Sequence, residues 1–157
     1  MRILVVSDTH GDKASFLRAV RSQPSAEVVI HLGDGAEEFE EVKRLFPERM
    51  FLGVRGNGDW GSSAPLSDAR VFEGKRFFFT HGHRYNVKMG YYSVYAAARE
   101  QHADVLLFGH THLPLEDYED GLYVLNPGSL HASFGGGSYG TVDLTPAGIV
   151  TNLIHLK

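Results

Sequence analysis

Five short stretches of a 157-residue chain carry side chains able to hold divalent metal ions: Asp8-Thr9-His10, Gly33-Asp34, Gly56-Asn57, His81-Gly82-His83 and Gly109-His110-Thr111-His112. Carboxylate, amide oxygen and imidazole suit hard-to-borderline divalent cations. The chain has no cysteine, which removes disulfides, thiolate nucleophiles and Cys-based zinc sites together. Drawn into one place without a cation, two carboxylates, one amide and up to five imidazoles would repel or go unpaired. The donors Asp8, His10, Asp34, Asn57, His81, His110 and His112 exceed the needs of one tetrahedral zinc and suffice for two metals sharing a bridging carboxylate. Two cations about 3.5–4 Å apart clamp the attacking and leaving oxygens of an in-line displacement and bring a bridging water's pKa toward neutrality. The chemistry expected is hydrolysis of a phosphate ester by a metal-bridging hydroxide.

Each fragment alone has an ordinary explanation. Gly-Asp after a strand is usually a turn, Gly-Asn a hairpin or left-handed position, and Asp-x-His occurs often by chance. Their conjunction carries the argument, because each stands where an apolar run stops. Ile3 to Val6 reads as a buried parallel strand, Val28 to Leu32 as a second and Phe51 to Val54 as a third. Asp12 is placed to cap a helix from about Lys13 to Arg21 with Phe16, Leu17 and Val20 on one face. A run of Glu37, Glu38, Glu40 and Glu41 suits the first turn of another helix, which ends before Pro47. This β-α-β-α-β order implies right-handed crossovers and a parallel sheet.

In the second half, Val71-Phe72 and Arg76–Thr80 pair through a Glu73-Gly74 turn, and a helix covers Tyr91 to Gln101. Val105–Phe108 follows. The segments Leu115–Tyr118, Leu122–Leu125, Tyr139–Leu144 and Ile149–His155 read as antiparallel strands. Two packed sheets with helices outside are expected, in a single domain over 1–157 with no dividing linker. Carboxyl ends of strands in an open α/β sheet face one crevice, so the donors should meet there.

Composition is that of a globular protein, 43% hydrophobic and 22% charged. The formal charge of −4 argues against stable nucleic-acid binding through the phosphate backbone. No stretch approaches the roughly 20 apolar residues of a membrane span, and Ile3–Val6 is too short for a signal peptide, so a soluble cytoplasmic protein without membrane partners is expected.

The series Asp8-x-His10, Gly33-Asp34, Gly56-Asn57, His81 and Gly109-His110-Thr111-His112 resembles the signature of the calcineurin-like metallophosphoesterase superfamily. Chain length, His81-Gly82-His83 and Asn126-Pro127-Gly128-Ser129 resemble its small, single-domain YfcE-type phosphodiesterase branch. The resemblance runs from Asp8 to Ser129. It implies a four-layer α/β/β/α sandwich of two mixed sheets flanked by helices, with Asp8, His10 and His112 on one metal, Asn57, His81 and His110 on a second, and Asp34 bridging. Mn2+ is the first expectation, with Ni2+, Fe2+, Co2+ and Zn2+ feasible. The implied substrate is a small-molecule or nucleotide phosphate ester, most readily a diester; a phosphomonoesterase, or a scaffold like the retromer subunit of similar fold, are the alternatives. A homodimer or homotetramer is also in keeping with the resemblance.

One position departs from the pattern. Many relatives follow the motif asparagine with histidine, whereas this chain has Asn57-Gly58-Asp59, so Gly58 can do no acid chemistry. His83 becomes the candidate for substrate contact or proton donation, against a role in fixing His81 by a hydrogen bond. Asp59 reads as a turn cap or support for the ligands rather than an acid. His31 is expected to be a satisfied core or supporting histidine, His102 and His155 surface, and Thr111 bonded within its turn; His131 could approach the crevice. Tyr85, Asn86, Tyr91 and Tyr92 either rim the site or cover a helix or interface. The run Gly135 to Gly140 precedes a strand instead of opening a helix, and is no dinucleotide fingerprint.

Overall fold

In the computed structural model, which describes residues 1–133 and 136–156, ten strands form two five-stranded sheets. The first half delivers β1 (Arg2–Val6), α1 (Lys13–Ser22), β2 (Ala26–His31), α2 (Ala36–Leu45) and β3 (Met50–Gly53). These are the expected parallel strands, with β2 hydrogen-bonded to both β1 and β3. Asp12 caps α1 as its residue type suggests: Oδ1 accepts from the Ser15 amide at 3.0 Å. The chain continues through β4 (Ser67–Phe72), β5 (Lys75–Thr80), a 3-10 turn (His83–Tyr85), α3 (Tyr92–Glu100), β6 (Val105–Leu107), β7 (Leu115–Glu119), β8 (Leu122–Asn126), β9 (Ser138–Thr145) and β10 (Gly148–His155). Strand order is β10-β9-β1-β2-β3 in one sheet and β4-β5-β6-β8-β7 in the other.

The apolar runs are continuous because both faces of each central strand are covered. In β1, Ile3 and Val5 face a core shared with the second sheet through Phe77, Phe79, Leu107 and Leu125. Leu4 and Val6 face Phe16, Ala19 and Val20 of α1 and Val42 of α2. On the far side, Phe78, Leu106, Phe108 and Val124 pack under Val94 and Ala98 of α3. Three apolar layers thus separate four layers of secondary structure, the α/β/β/α sandwich.

Two expectations need correction. The late segments are not all antiparallel: β8 pairs antiparallel with β7 but parallel with β6, and β9 lies antiparallel between β10 and β1. An alternating strand pattern does not encode the direction of its neighbour, which is decided by the connection and the core. Strand β4 also begins at Ser67 rather than Val71, paired Ser67 to Thr80 with β5. Its polar start gives no hydrophobic signal, and pairing alone makes it a strand. The Glu73-Gly74 turn is as expected, with φ +48° and +80°.

Candidate metal centre

The sheets bring their loaded strand ends to one edge. Asp8 follows β1, Asp34 follows β2, Asn57 follows β3, His81 follows β5, and His110 and His112 follow β6. Backbone bonds stitch these loops to one another: Asp8 N–H to Gly33 O at 2.9 Å, His10 N–H to Asp34 O at 2.9 Å, and Gly109 N–H to His81 O at 2.9 Å. Two glycines let them approach so closely. A side chain on Gly109 would overlap Ser7 Oγ, and one on Gly56 would overlap the Asp34 carboxylate.

Asp8, His10, Asp34, His110 and His112 are all in the left-handed region, with φ between +44° and +69°. For a residue with a side chain this costs roughly 1–2 kcal/mol each, and it persists only where the surroundings over-determine it. Here the tight turns aim carboxylates and imidazoles inward instead of along the strand faces.

The side chains form two groups. In the first, Asp8 Oδ1 lies 3.2 Å from His112 Nε2 and 3.3 Å from His10 Nε2, with the two imidazole nitrogens 3.3 Å apart. In the second, His81 Nε2 lies 3.1 Å from His110 Nδ1, 3.0 Å from Asn57 Oδ1 and 3.4 Å from Asp34 Oδ2. Asp34 Oδ2 is also 3.8 Å from His10 Nε2, so it faces both groups. Asp8-His10-His112 and Asp34-His81-His110 each place three donor atoms within 4.8 Å of one another, a spacing that could hold a metal ion. His81 Nδ1 donates to Leu32 O at 2.7 Å, which leaves Nε2 turned into the crevice.

Electrostatics of the metal-free protein follow from this crowding. Burial would raise the Asp8 carboxyl, but hydrogen bonds from His10 and His112, the charge of His81 and the Ser7 hydroxyl hold it well below the usual range. Burial opposes charge on His81 too, yet Asp34 and Asp8 push its pKa upward, and Asp8 raises His10. Burial and the neighbouring His81 charge lower His110 to about 4. Protons on some imidazoles balance the carboxylates where cations otherwise could, and any bound metal must displace them.

Supporting contacts were less legible in the sequence. Asp59 is a clamp: Oδ2 accepts from the amides of Asp34 and Gly56, both at 2.8 Å, and Oδ1 from Gly35 at 2.9 Å and Ala36 at 3.1 Å. It ties the loop after β2 to the loop after β3 and caps α2. His31 is buried as expected: Nδ1 accepts from Gly33 N–H, Nε2 meets Thr9 Oγ1 at 2.9 Å, and Thr9 donates to Glu38 at 2.8 Å. Glu38 also accepts from the Gly11 amide, bracing the turn that carries His10. Sequence reasoning read Glu38 only as a first-turn acid. The available signal was its place four residues before Val42, on the buried face of α2.

Asn126 donates to Gly109 O and Thr111 Oγ1, and Ser129 Oγ donates to Asp8 O at 2.8 Å. Thr111 Oγ1 accepts from the Leu113 amide within its own turn.

His83 sits beside the second group, its ring 5.4 Å from that of His81 and 6.1 Å from that of His110. It does not fix His81, whose Nδ1 is taken by Leu32 O; the Nδ1 of His83 is buried without a hydrogen-bond partner among the described residues. His131 Nδ1 accepts from the Ser133 amide. His102 and His155 are exposed. Tyr85 and Tyr91 cover the core beneath α3, while Asn86 and Tyr92 are exposed. Gly135 of the glycine run lies outside the described residues.

Residues 1–146 match the model of the calcineurin-like phosphoesterase superfamily domain. The chain belongs to that superfamily. A probable metallophosphoesterase of Mycoplasma pneumoniae is 35% identical, the match covering 82% of this chain and 79% of that one. Phosphodiesterase YfcE of Escherichia coli K12 is 29% identical, over 91% of this chain and 88% of its own. Among solved structures, a predicted phosphoesterase of Streptococcus pneumoniae TIGR4 superposes with a TM-score of 0.83 at 25% identity, covering 98% of this chain and 88% of that chain. Solved Vps29 chains, 16–19% identical, share the fold and carry no more than that. The superfamily member described here is a metal-dependent phosphoric ester hydrolase. Among the described residues, no helix is long and apolar enough to cross a membrane.

Proposed function

We propose that the chain hydrolyses a phosphodiester, of a small molecule or a nucleotide, at a centre of two divalent ions. The observation carrying this reading is the position of Asp34 Oδ2, 3.4 Å from His81 Nε2 and 3.8 Å from His10 Nε2, where one carboxylate faces both candidate donor groups. Asp8, His10 and His112 would hold one ion, Asn57, His81 and His110 the other, with Asp34 shared. When bound, such ions supply an activated water and positive charge for an in-line displacement at phosphorus. The chain's own contribution is positioning: left-handed turns aim the donors, and Leu32 O, Asp59, Asn126 and Ser129 hold them.

His83 is a substrate contact in this reading. Its ring lies 5.4 Å from that of His81 and 6.1 Å from that of His110, and burial with the nearby His81 charge lowers its pKa. A lowered pKa leaves the ring neutral near pH 7, which suits orientation better than proton donation. With Gly58 after Asn57, the leaving oxygen has no imidazole there to protonate it, and this favours diesters with good leaving groups over monoesters. Mn2+ is the first ion to try, since the donors mix oxygen and nitrogen without sulfur. The scaffold alternative has only the shared fold of the Vps29 chains in its favour, whereas every donor position of the metal signature is filled in this chain.

Metal-stripped protein reconstituted with Mn2+, Ni2+, Fe2+, Co2+ or Zn2+ should hydrolyse an aryl phosphodiester faster than the matching monoester. Asp34→Ala should abolish this under saturating Mn2+; near-parental turnover in that variant would sink the two-ion reading.

A further inference from the structure

Trp60, the sole tryptophan of the chain, is 93% exposed in the loop between β3 and β4, three residues beyond Asn57. Scattered exposed apolar residues are ordinary, so exposure alone assigns nothing. Two further observations do. The first is the surface. A depression of about 340 Å³ is lined by His10, Asp34 and Gly58 of the candidate centre and by Trp60. A second, of about 490 Å³, is lined by Phe39, Glu40 and Gly53 and again by Trp60. Glu37 and Asp59 line both, so the indole stands where one depression passes into the other.

The second observation is rigidity. The backbone on either side is pinned by Asp59 N–H to Gly56 O at 3.2 Å and Ser62 N–H to Asp59 O at 3.2 Å, and the Asp59 carboxylate accepts four further amides. With the turn fixed, only the two side-chain torsions of the indole are left to order on binding. Gly58, without a side chain, leaves the way open from the centre to that face.

We infer that Trp60 is the stacking platform for a planar aromatic group of the ester, a nucleobase in the first instance, and so a specificity-determining residue. This rests on the phosphoesterase reading and gives it a substrate class. A phosphate held over the donors extends past Gly58, and the ring attached to it lies on Trp60, with the Glu37 carboxylate available to accept from an exocyclic amine. The exposed acids Glu37 and Glu40 also disfavour a second anionic group at that end.

Trifluoroethyl diesters of adenosine 5′-phosphate and of ribose 5-phosphate differ only in the base, and their leaving group is not aromatic. With the Mn2+-loaded protein, Trp60→Ala should lower kcat/KM for the adenosine ester by between about fivefold and a hundredfold, the range of base–aromatic stacking. The ribose ester should change less than twofold, and Trp60→Phe should keep most of the preference. Because no other tryptophan is present, emission reads the stack directly: millimolar adenosine 5′-phosphate should quench it and ribose 5-phosphate should not. Equal loss on both esters, or emission indifferent to adenosine 5′-phosphate, overturns the stacking role while leaving the phosphodiesterase reading in place. Failure of the parent protein to hydrolyse these esters and the aryl diester under any of the five metals removes both.

Discussion

Replacing Asp59 by asparagine changes one oxygen into an amino group and keeps the size. Each carboxylate oxygen now accepts two amides, at 2.8 and 2.8 Å on one side and 2.9 and 3.1 Å on the other. Whichever side receives the new NH2, two backbone N–H groups lose their acceptor and face a donor. A hydrogen bond to a charged group contributes about 1.5–3 kcal/mol, so two are worth about 3–6 kcal/mol before solvent is counted. Asp59 is only half-buried, and water replaces part of that, which brings the expected loss to about 2–4 kcal/mol. For a chain of this length each kcal/mol moves the midpoint about 2–4 °C, giving a fall on the order of 5–15 °C. The assay is thermal unfolding followed by circular dichroism in excess chelator. Working without metal matters, because a carboxylate that served only as a metal ligand would leave the metal-free midpoint unchanged. A shift under about 2 °C in chelator would refute the clamp.

The buried His31 has a pKa lowered to about 4 by burial, against an ordinary 6.5. The unfolded chain takes up its proton below pH 6.5 and the folded chain only near 4, so this residue's contribution to stability is complete above 6.5 and shrinks as pH falls through that window. The slope is about 1.4 kcal/mol per pH unit. Urea unfolding of the metal-free parent beside His31→Gln checks it: the parent should lose stability relative to the variant between pH 6.5 and 4, the raised His10 and His81 being common to both, and parallel curves would count against the assignment. Gly109→Ala should reduce kcat/KM a hundredfold or more, since the added carbon overlaps Ser7 Oγ and sits 2.9 Å from Asp8 Oδ2. Ordinary turnover in that variant would mean the loop relaxes freely. Gly58→His introduces a carbon 3.1 Å from Asp34 Oδ1, a contact that a small shift accommodates. It should raise the monoester-to-diester ratio of kcat/KM at least tenfold by supplying a proton donor; an unchanged ratio contradicts the leaving-group argument.

The sequence by itself determined the alternation of strands and helices in the first half, because strands buried on both faces must be apolar throughout, as Ile3–Val6 and Val28–Ile30 are. It also named the donors, since carboxylate, amide and imidazole are residue types and their recurrence at strand ends is a spacing that can be counted. It could not set the direction of β8 or the start of β4, where neither polarity nor period carries the information. Nor could it set the left-handed turns at Asp8, His10, Asp34, His110 and His112, which no residue type demands and which contacts from other loops impose. The same holds for the amides gathered by Asp59 and for the Thr9–His31–Glu38 chain. Most of these contacts join residues more than twenty positions apart in the chain, and the side-by-side pairing of β1, β2 and β3 in one sheet, with α2 on its face, brings them within hydrogen-bonding reach.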